Sequence, residues 1–356
     1  MRVRHFSLPL SRPLGTARGE ITEREGFLVG IGSGIGEATP LPGWTESLSA
    51  CATALDGVET NAGQPTHDAL DNFNSLDSLD ARDTPAARHG LALALGDGAA
   101  RNAGRSLAAQ LVQGDGQREW TRSPSRSVPV NATVGDGPTA ETVAAAERAV
   151  ADGFDCLKVK VGARPADTDV ERLRAVREAV GPAVAVRADA NGAWDGETAA
   201  YALDRLEPLH LEYVEQPLPA TLVDETAQLR TETDVPIALD ESLSAVPLSA
   251  VLDADAADVL VCKPMVLGGP DRTVSVAKRA HAAGVDVTVT TTIDGVVART
   301  AAVHVAAAIP DVRACGLATG ELLSADLASD PCSIVDGRIA VPSGPGLAGG
   351  AFEAVI

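Results

Sequence analysis

Lysine is almost missing from this chain of 356 residues: four occur among 29 basic side chains, so the other 25 are arginine. Positive charge as a whole is also scarce, with 49 acidic residues and a formal charge of −20. That balance argues against nucleic acid and anionic membrane surfaces as partners, because both are bound through basic patches. Aromatic residues make up 3%. The five cysteines (Cys51, Cys156, Cys262, Cys315, Cys332) are dispersed and form no CxxC pair. Their odd number and scatter disfavour a disulfide framework or a zinc site and favour free buried thiols in a reducing compartment. The six histidines (His5, His67, His89, His210, His281, His304) show no HExxH spacing. MRVRHFSLPLSRP lacks the apolar core of a signal peptide, and no uncharged apolar run reaches transmembrane length. A soluble, cytoplasmic protein without membrane insertion is expected.

Hydrophobic residues make up 45% of the sequence, and the mean hydropathy is +0.07. This is ample for a large core in one big domain or two ordinary ones. Acidic residues are spread along the whole chain. Together with arginine in place of lysine and abundant Ala, Gly and Asp, they point to a surface adapted to high salt.

The segment up to about residue 115 is mixed. FLVGIGSGIGEATPLPG reads as a strand, a glycine turn and a second short strand. GIGSGIG lacks GxGxxG spacing, and Pro40 and Pro42 follow where a helix should begin, so a hairpin is expected rather than a nucleotide loop. Helical stretches follow around residues 47–61 and 84–101. The polar run VQGDGQREWTRSPSRS (112–127) marks a boundary. Beyond it, short β-rich runs alternate with Ala-rich amphipathic segments: VPVNATV, CLKVKVG, VAVRADA, LEYVEQPL, VPIALDESL, ADVLVCKPM, VDVTVTTTID and ACGLATG. Eight βα-like units predict an α/β fold, a (β/α)8-type TIM barrel. SIVDGRIAVPSGPGL reads as a hairpin returning to the first domain.

Ionisable residues sit inside these apolar strands: Lys158, Lys160, Asp189, Glu215, Asp240 and Lys263. The intervals from Lys160 are 29, 26, 25 and 23 residues, about one βα unit each. In such a barrel the C-terminal strand ends carry the catalytic groups, so all six should meet at one mouth. Strand alternation puts Lys158 and Lys160 on one face. Taken singly, a Lys-x-Lys is usually a solvated strand face, and an Asp at a strand end is usually a cap or turn former. The joint pattern outweighs those readings, since three of only four lysines fall on barrel strands. Arginine could replace lysine as a solvated cation but not as a base. Lys278, in VAKRAHAAG, reads as ordinary surface.

Three carboxylates from adjacent strands make a hard oxygen site suited to Mg²⁺, with Mn²⁺ as a substitute. A lysine beside a metal-held carboxylate substrate can remove its α-proton while the metal neutralises developing charge. An unperturbed lysine, with a pKa of about 10.4, is a poor base near neutrality. The Lys158 ammonium is expected to disfavour the charged form of Lys160, and to hydrogen-bond the substrate carboxylate.

Residues KVK (158–160), RADANGAW with Asp189, VEQPL with Glu215, ALDESL with Asp240 and CKPMVLGG with Lys263 resemble the enolase superfamily, muconate-lactonising subgroup. The resemblance covers nearly the whole chain. It implies an enolase-like modified barrel over 121–328, an N-terminal α+β capping domain over 1–120 with a mobile loop near 12–25, and a tail, 329–356, that completes the cap. It implies Asp189, Glu215 and Asp240 as Mg²⁺ ligands, and Lys160, Lys263 and Lys158 as catalytic residues. GIGEATPLPGWTES, VPVNATV, DANGAW and TTTIDGVVAR are further similar to the o-succinylbenzoate synthase family. That likeness implies a hydro-lyase of menaquinone biosynthesis acting on a small carboxylate, with Lys160 taking the α-proton and returning it to the departing hydroxyl. Lys263 would stabilise the enediolate from the opposite side. Asn191 and Arg187 would lie behind the ligands or beside the substrate carboxylate. Residues 290–292 and 316–320, including Thr291 and Gly320, would hold the succinyl tail. N-acylamino-acid racemase and muconate cycloisomerase share all six positions and stay open. A dipeptide epimerase would carry Asp-x-Asp where GLATGELL stands, and a mandelate-racemase-type enzyme would need a His near TTTIDG. A metal-free Schiff-base aldolase and a non-catalytic barrel are the more distant readings. Oligomeric state is left open, a homo-oligomer included.

Overall fold

The computed structural model describes residues 1–16, 19–58, 76, 79–113 and 122–356. The expected boundary at 120/121 and His67 lie outside the described residues. The chain opens with an antiparallel meander of β1 (Arg2–Thr16), β2 (Gly19–Ile31) and β3 (Gly34–Ala38). GIGSGIG is its second turn, with Gly32 at φ +56. Two further glycines in the motif permit close packing. A Cβ on Gly36 would stand 1.9 Å from the Gly90 carbonyl oxygen, and one on Gly34 would stand 2.0 Å from that of Ala94. Both carbonyls belong to α2 (Pro85–Asn102), which lies on the sheet after α1 (Leu48–Asp56).

Of the loop expected near residues 12–25, the described residues 12–16 and 19–25 are strand. Leu14 pairs with Ile21 and Leu8 with Arg24, with a register shift between Pro9 and Leu14. A polar, Pro- and Gly-bearing sequence reads as loop. Here residues on both sides of the register shift pair across the β1–β2 ladder, and neighbouring groups bond to the barrel. Ser324 N–H donates to the Pro9 carbonyl at 2.9 Å, and Ser11 Oγ donates to that of Glu321 at 2.9 Å.

The barrel strands run parallel in chain order: β5 (Ala132–Val134), β6 (Cys156–Lys160), β7 (Ala185–Asp189), β8 (Tyr213–Glu215), β9 (Ile237–Leu239), β10 (Val259–Cys262) and β11 (Asp286–Val289). The ring is closed by residues 315–316, where Cys315 bridges Val130 and Gly316 bridges Thr290. The helices between strands are α4 (Thr139–Ala151), α5 (Ala166–Val180), α6 (Gly196–Leu206), α7 (Val223–Thr231), the short α8 (Ser242–Ala245) with α9 (Leu248–Asp253), the short α10 (Pro264–Leu267) with α11 (Pro270–Ala282), and α12 (Val296–Ala308). The eighth unit expected from the sequence has no α-helix. Only a short 3-10 turn, Gly320–Leu322, follows its strand segment, because LLSADLASDP is too short and polar for an amphipathic helix. This is the modified barrel. Its wall beside α12 is instead covered by α3 (Leu107–Gln113) from the N-terminal segment, so Ala108 joins the barrel core and all of α12 is buried. His304 on α12 is a satisfied core histidine. It accepts from Ala108 N–H at 3.4 Å and donates to the Leu347 carbonyl at 2.5 Å.

The tail splits its loyalties. β12 (Ile334–Val335) and β13 (Arg338–Ala340) form the expected hairpin, turned by Asp336 and Gly337 at φ 48 and 63. β13 pairs with β4 (Ser127–Pro129) at the foot of the barrel rather than with the first segment. Only the last stretch reaches the meander, where Leu347, Phe352 and Val355 pack with Phe6, Leu28, Ile35 and Leu93. Lys278 also departs from expectation. It is buried, at 8% exposure on α11, because the helix face that carries it turns inward with Val274 and Ala277. Among the described residues, no helix is long and apolar enough to cross a membrane.

Candidate active site

The strand register builds the site. Lys160, Asp189 and Glu215 are direct Cα partners across β6, β7 and β8. Glu215 pairs with Ala238, and Leu239 with Leu260, so Asp240 and then Lys263 each stand two residues further along. Steps of two keep every side chain on the inner face, because the strand period is two. In the closed ring of eight, β6 and β10 stand on opposite walls, with β7, β8 and β9 between them. Two ammonium groups therefore face each other across a row of three carboxylates.

Those carboxylates are buried: Asp189 at 0%, Glu215 at 0% and Asp240 at 4% exposure. Lys158 Nζ donates to Glu215 Oε1 at 3.0 Å and lies 2.9 Å from Asp189 Oδ2. Lys160 Nζ donates to the same Asp189 oxygen at 2.6 Å and to Asn191 Oδ1 at 2.8 Å. Lys263 donates to Asp240 and rests over the Trp44 ring, 3.8 Å from its centroid. Lys160 keeps 34% of its side chain exposed and Lys158 13%, so Lys160 is the one that reaches the cleft.

This arrangement corrects one expectation. Asp189 stands between the two lysines, so Lys158 does not act on Lys160 as a bare like charge. Burial opposes the charge on Lys158, but Asp189 and Glu215 outweigh it and hold its pKa well above the usual lysine value. Burial alone would raise Asp189; the two ammonium groups overcome it and hold the carboxyl well below the usual range. Glu215 is pushed up to about 7 by burial and then by the charge of Asp189, against the pull of Lys158. Asp240 is raised by burial, against the opposing charge of Lys263.

The donor set fits a hard divalent cation. It offers three buried carboxylates, and the elevated Glu215 marks negative charge that the lysines do not fully relieve. Among the described residues, no three acid, imidazole or thiolate groups stand in a finished metal-holding arrangement. Each of the three carboxylates is bonded here to at least one ammonium group.

The remaining site residues divide. Asn191 joins the centre: its N–H donates to Asp189 Oδ1 at 3.1 Å and its Nδ2 to Glu241 Oε1 at 2.9 Å. Arg187 lies two residues before Asp189, one layer down, where it donates to Glu212 at 2.6 Å and to the Ala314 carbonyl at 2.7 Å and stacks on Tyr213. Its guanidinium is thus engaged away from the carboxylate row. Thr291 reaches Thr319 hydroxyl to hydroxyl at 3.0 Å, across the seventh and eighth strand ends. Gly320 packs near Arg299 and Asp330.

Three contributors escaped the sequence reading. Trp44 lies in GWTES, and nothing local ties that stretch to Lys263. Glu241 follows Asp240 directly in DES, a position that could have been flagged. Gln216 follows Glu215 and fixes the third carboxylate's backbone, its Oε1 accepting from Asp240 and Ser242 N–H at 3.2 Å each. Asn191, Gln216 and Ile293, at the strand ends that form the mouth, all have positive φ, 46, 41 and 61.

A capped barrel with opposed lysines around buried acids defines an acid–base enzyme scaffold, and the comparisons give its family. Residues 141–349 match the model described as Enolase C-terminal domain-like, and the chain belongs to that family, within the enolase superfamily's muconate-lactonising subgroup. The chain is 42% identical over 227 residues to o-succinylbenzoate synthase of Thermobifida fusca (strain YX), covering 62% of this chain and 69% of that one. It is 36% identical over 225 residues to chloromuconate cycloisomerase CbnB of Cupriavidus necator, covering 62% and 61%. Among solved structures, the dipeptide epimerase from Methylococcus capsulatus complexed with Mg and dipeptide L-Arg-D-Lys is 30% identical, with TM-score 0.81 and 98% of both chains covered. The N-succinyl Arg/Lys racemase from Bacillus cereus ATCC 14579 is 25% identical, with TM-score 0.86 and 99% and 95% covered.

Proposed function

We propose that the chain is a Mg²⁺-dependent hydro-lyase, an o-succinylbenzoate synthase, that converts 2-succinyl-6-hydroxy-2,4-cyclohexadiene-1-carboxylate to 2-succinylbenzoate and water in menaquinone biosynthesis. The observation that carries this reading is the pair of ammonium groups on opposite barrel walls, Lys160 and Lys263, with three buried carboxylates on the strands between. Asp189, Glu215 and Asp240 would hold Mg²⁺, which when bound supplies positive charge to the substrate carboxylate as its α-carbon loses a proton. Lys160, the more exposed lysine of its strand, takes that proton and delivers it to the departing hydroxyl. One C–H and one C–O bond break, water leaves, and the ring becomes aromatic. Lys263 meets the developing enediolate from the far wall, with Asp240 and the Trp44 face orienting its ammonium. Asn191 supports Lys160 from behind. The Thr291–Thr319 hydroxyl pair and the neighbouring backbone offer hydrogen bonds to the succinyl tail, whose far end is a second carboxylate.

The same opposed lysines suit two-base proton exchange, so racemisation of N-succinyl amino acids is the second reading, and the likeness to the Bacillus cereus racemase supports it. Dipeptide epimerisation fits less well. The eighth strand segment brings Thr319 to the mouth, and GLATGELL does not carry the Asp-x-Asp that would meet a substrate ammonium. The deciding measurement is ultraviolet appearance of the aromatic product from the cyclohexadiene with Mg²⁺, with N-succinyl amino acids and muconate run in parallel. Turnover of the cyclohexadiene is expected. Turnover of another substrate alone would overturn the specific reading and keep the proton-abstraction chemistry.

The reading places the enzyme in the cytoplasm, open to homo-oligomer assembly. The −20 charge further supports adaptation to concentrated salt, which screens the mutual repulsion of surface acids. Melting temperature and activity are expected to rise from dilute buffer to molar KCl; flat responses would remove the idea.

A further inference from the structure

We propose that Arg24 and Glu37, on the N-terminal meander, act as positioning residues that clamp the seventh strand-end segment, residues 290–298, and thereby set how the mouth receives the substrate tail. This rests on the reading that the segment holds that tail. Neither residue belongs to the barrel, and neither touches the lysines or the carboxylate row in any contact described above.

Glu37 is fully buried on β3. Its Oε1 accepts from Gly295 N–H at 2.7 Å and from Thr39 Oγ at 2.5 Å, and its Oε2 accepts from Ala298 N–H at 2.9 Å. α12 has Gly295 at its N-cap and no side-chain cap of its own. Glu37 supplies that cap from 258 residues away, satisfying two of the helix's orphan donors and meeting its positive end. Arg24, 3% exposed on β2, grips the other side: Nε donates to the Ile293 carbonyl at 3.3 Å, while its Nη atoms donate to the Pro40 and Thr39 carbonyls at 3.1 and 3.0 Å.

Between the two grips lies Ile293 at φ 61, a conformation that is a true outlier for a β-branched residue. Such strain persists only where the surroundings over-determine it. Here the surroundings are Arg24 on the Ile293 carbonyl, Thr291 Oγ accepting from Ile293 N–H at 3.3 Å, and Glu37 two residues on. The same strained turn fixes Thr291, whose hydroxyl meets Thr319 at the mouth. Burial, with the charge of Asp294 beside it, pushes the Glu37 carboxyl up to about 7, so the junction keeps this acid against a substantial desolvation penalty.

The test uses the full chain with Glu37→Gln, which presents a donor where an acceptor stood, and Arg24→Lys, whose single nitrogen lacks the guanidinium fork that spans three carbonyls. Amide hydrogen exchange is read on the substrate-free protein across 290–298, with β6–β8 as the internal reference. Exchange at Gly295 and Ala298 is expected to quicken about tenfold or more in Glu37→Gln, with the reference strands unchanged. On the cyclohexadiene, KM is expected to rise about tenfold with kcat held within roughly twofold, the mark of lost tail binding rather than lost chemistry. Unchanged exchange at those amides overturns the clamp. An unchanged KM, with kcat falling in step with the folded fraction, also overturns it. Should Glu37→Gln not fold, Arg24→Lys is read by the same two criteria at residues 291–295. If the wild type turns over only an N-succinyl amino acid, the proposed reaction fails, and the clamp is judged by exchange and by KM on that substrate.

Discussion

Replacing Lys160 with alanine is expected to lower turnover by on the order of 10³- to 10⁴-fold while the protein stays folded. The fold should survive because this lysine is the exposed member of its strand, and Lys158, 2.9 Å from Asp189, still neutralises the buried carboxylate. Lys160→Arg makes the sharper test. Arginine keeps the positive charge and can keep the bond to Asp189, yet it does not give up its proton. If Lys160 served only as a charge, arginine would restore activity. If it transfers a proton, both variants fail alike. Steady-state rates beside far-ultraviolet circular dichroism decide this, and an arginine variant retaining most of the wild-type rate would defeat the assignment.

Glu215→Gln is expected to separate stability from function. The wild-type carboxyl is pushed up to about 7 by burial and by Asp189, above its ordinary value near 4.5. An acid raised on folding contributes stability that is fully present below its unfolded pKa and is lost as pH rises through the folded value. In metal-free protein above neutrality, an ionised Glu215 is therefore a burden, and the uncharged isostere should hold the melting temperature level or raise it. Its loss of stability between about pH 4.5 and 7 should flatten against the wild type. Mg²⁺ affinity, measured by calorimetry with the metal alone, should drop roughly a hundredfold, and turnover by on the order of 10³, because a neutral amide replaces the central anionic oxygen donor. Unaltered Mg²⁺ binding would show that the three acids serve the lysines only.

Much of this site was legible because its cues are local. A charged residue at the end of an apolar run is visible in the sequence, and the 29-, 26-, 25- and 23-residue intervals map onto successive strands. Scarcity helped: in a chain with four lysines, the two in CLKVKVG could not pass as ordinary surface. The same reasoning misjudged Lys278, since α11 turns that lysine inward and helix periodicity alone does not say what packs against it. The missing eighth helix shows the same limit. Regular repetition suggested a complete unit, whereas α3 from a remote part of the chain covers that wall.

Sequence alone determined the alternation of strands and helices, the hairpin turns at Gly32 and at Asp336–Gly337, and the roster of six ionisable groups, since periodicity and turn chemistry act over a few residues. Only the tertiary structure decided who bonds to whom: Asp189 between two lysines, Trp44 under Lys263, Glu37 capping a helix 258 residues away. Those pairings depend on strand register and on the seating of the meander against the barrel. Both are fixed by the packing of whole surfaces, which leaves no mark at any single position.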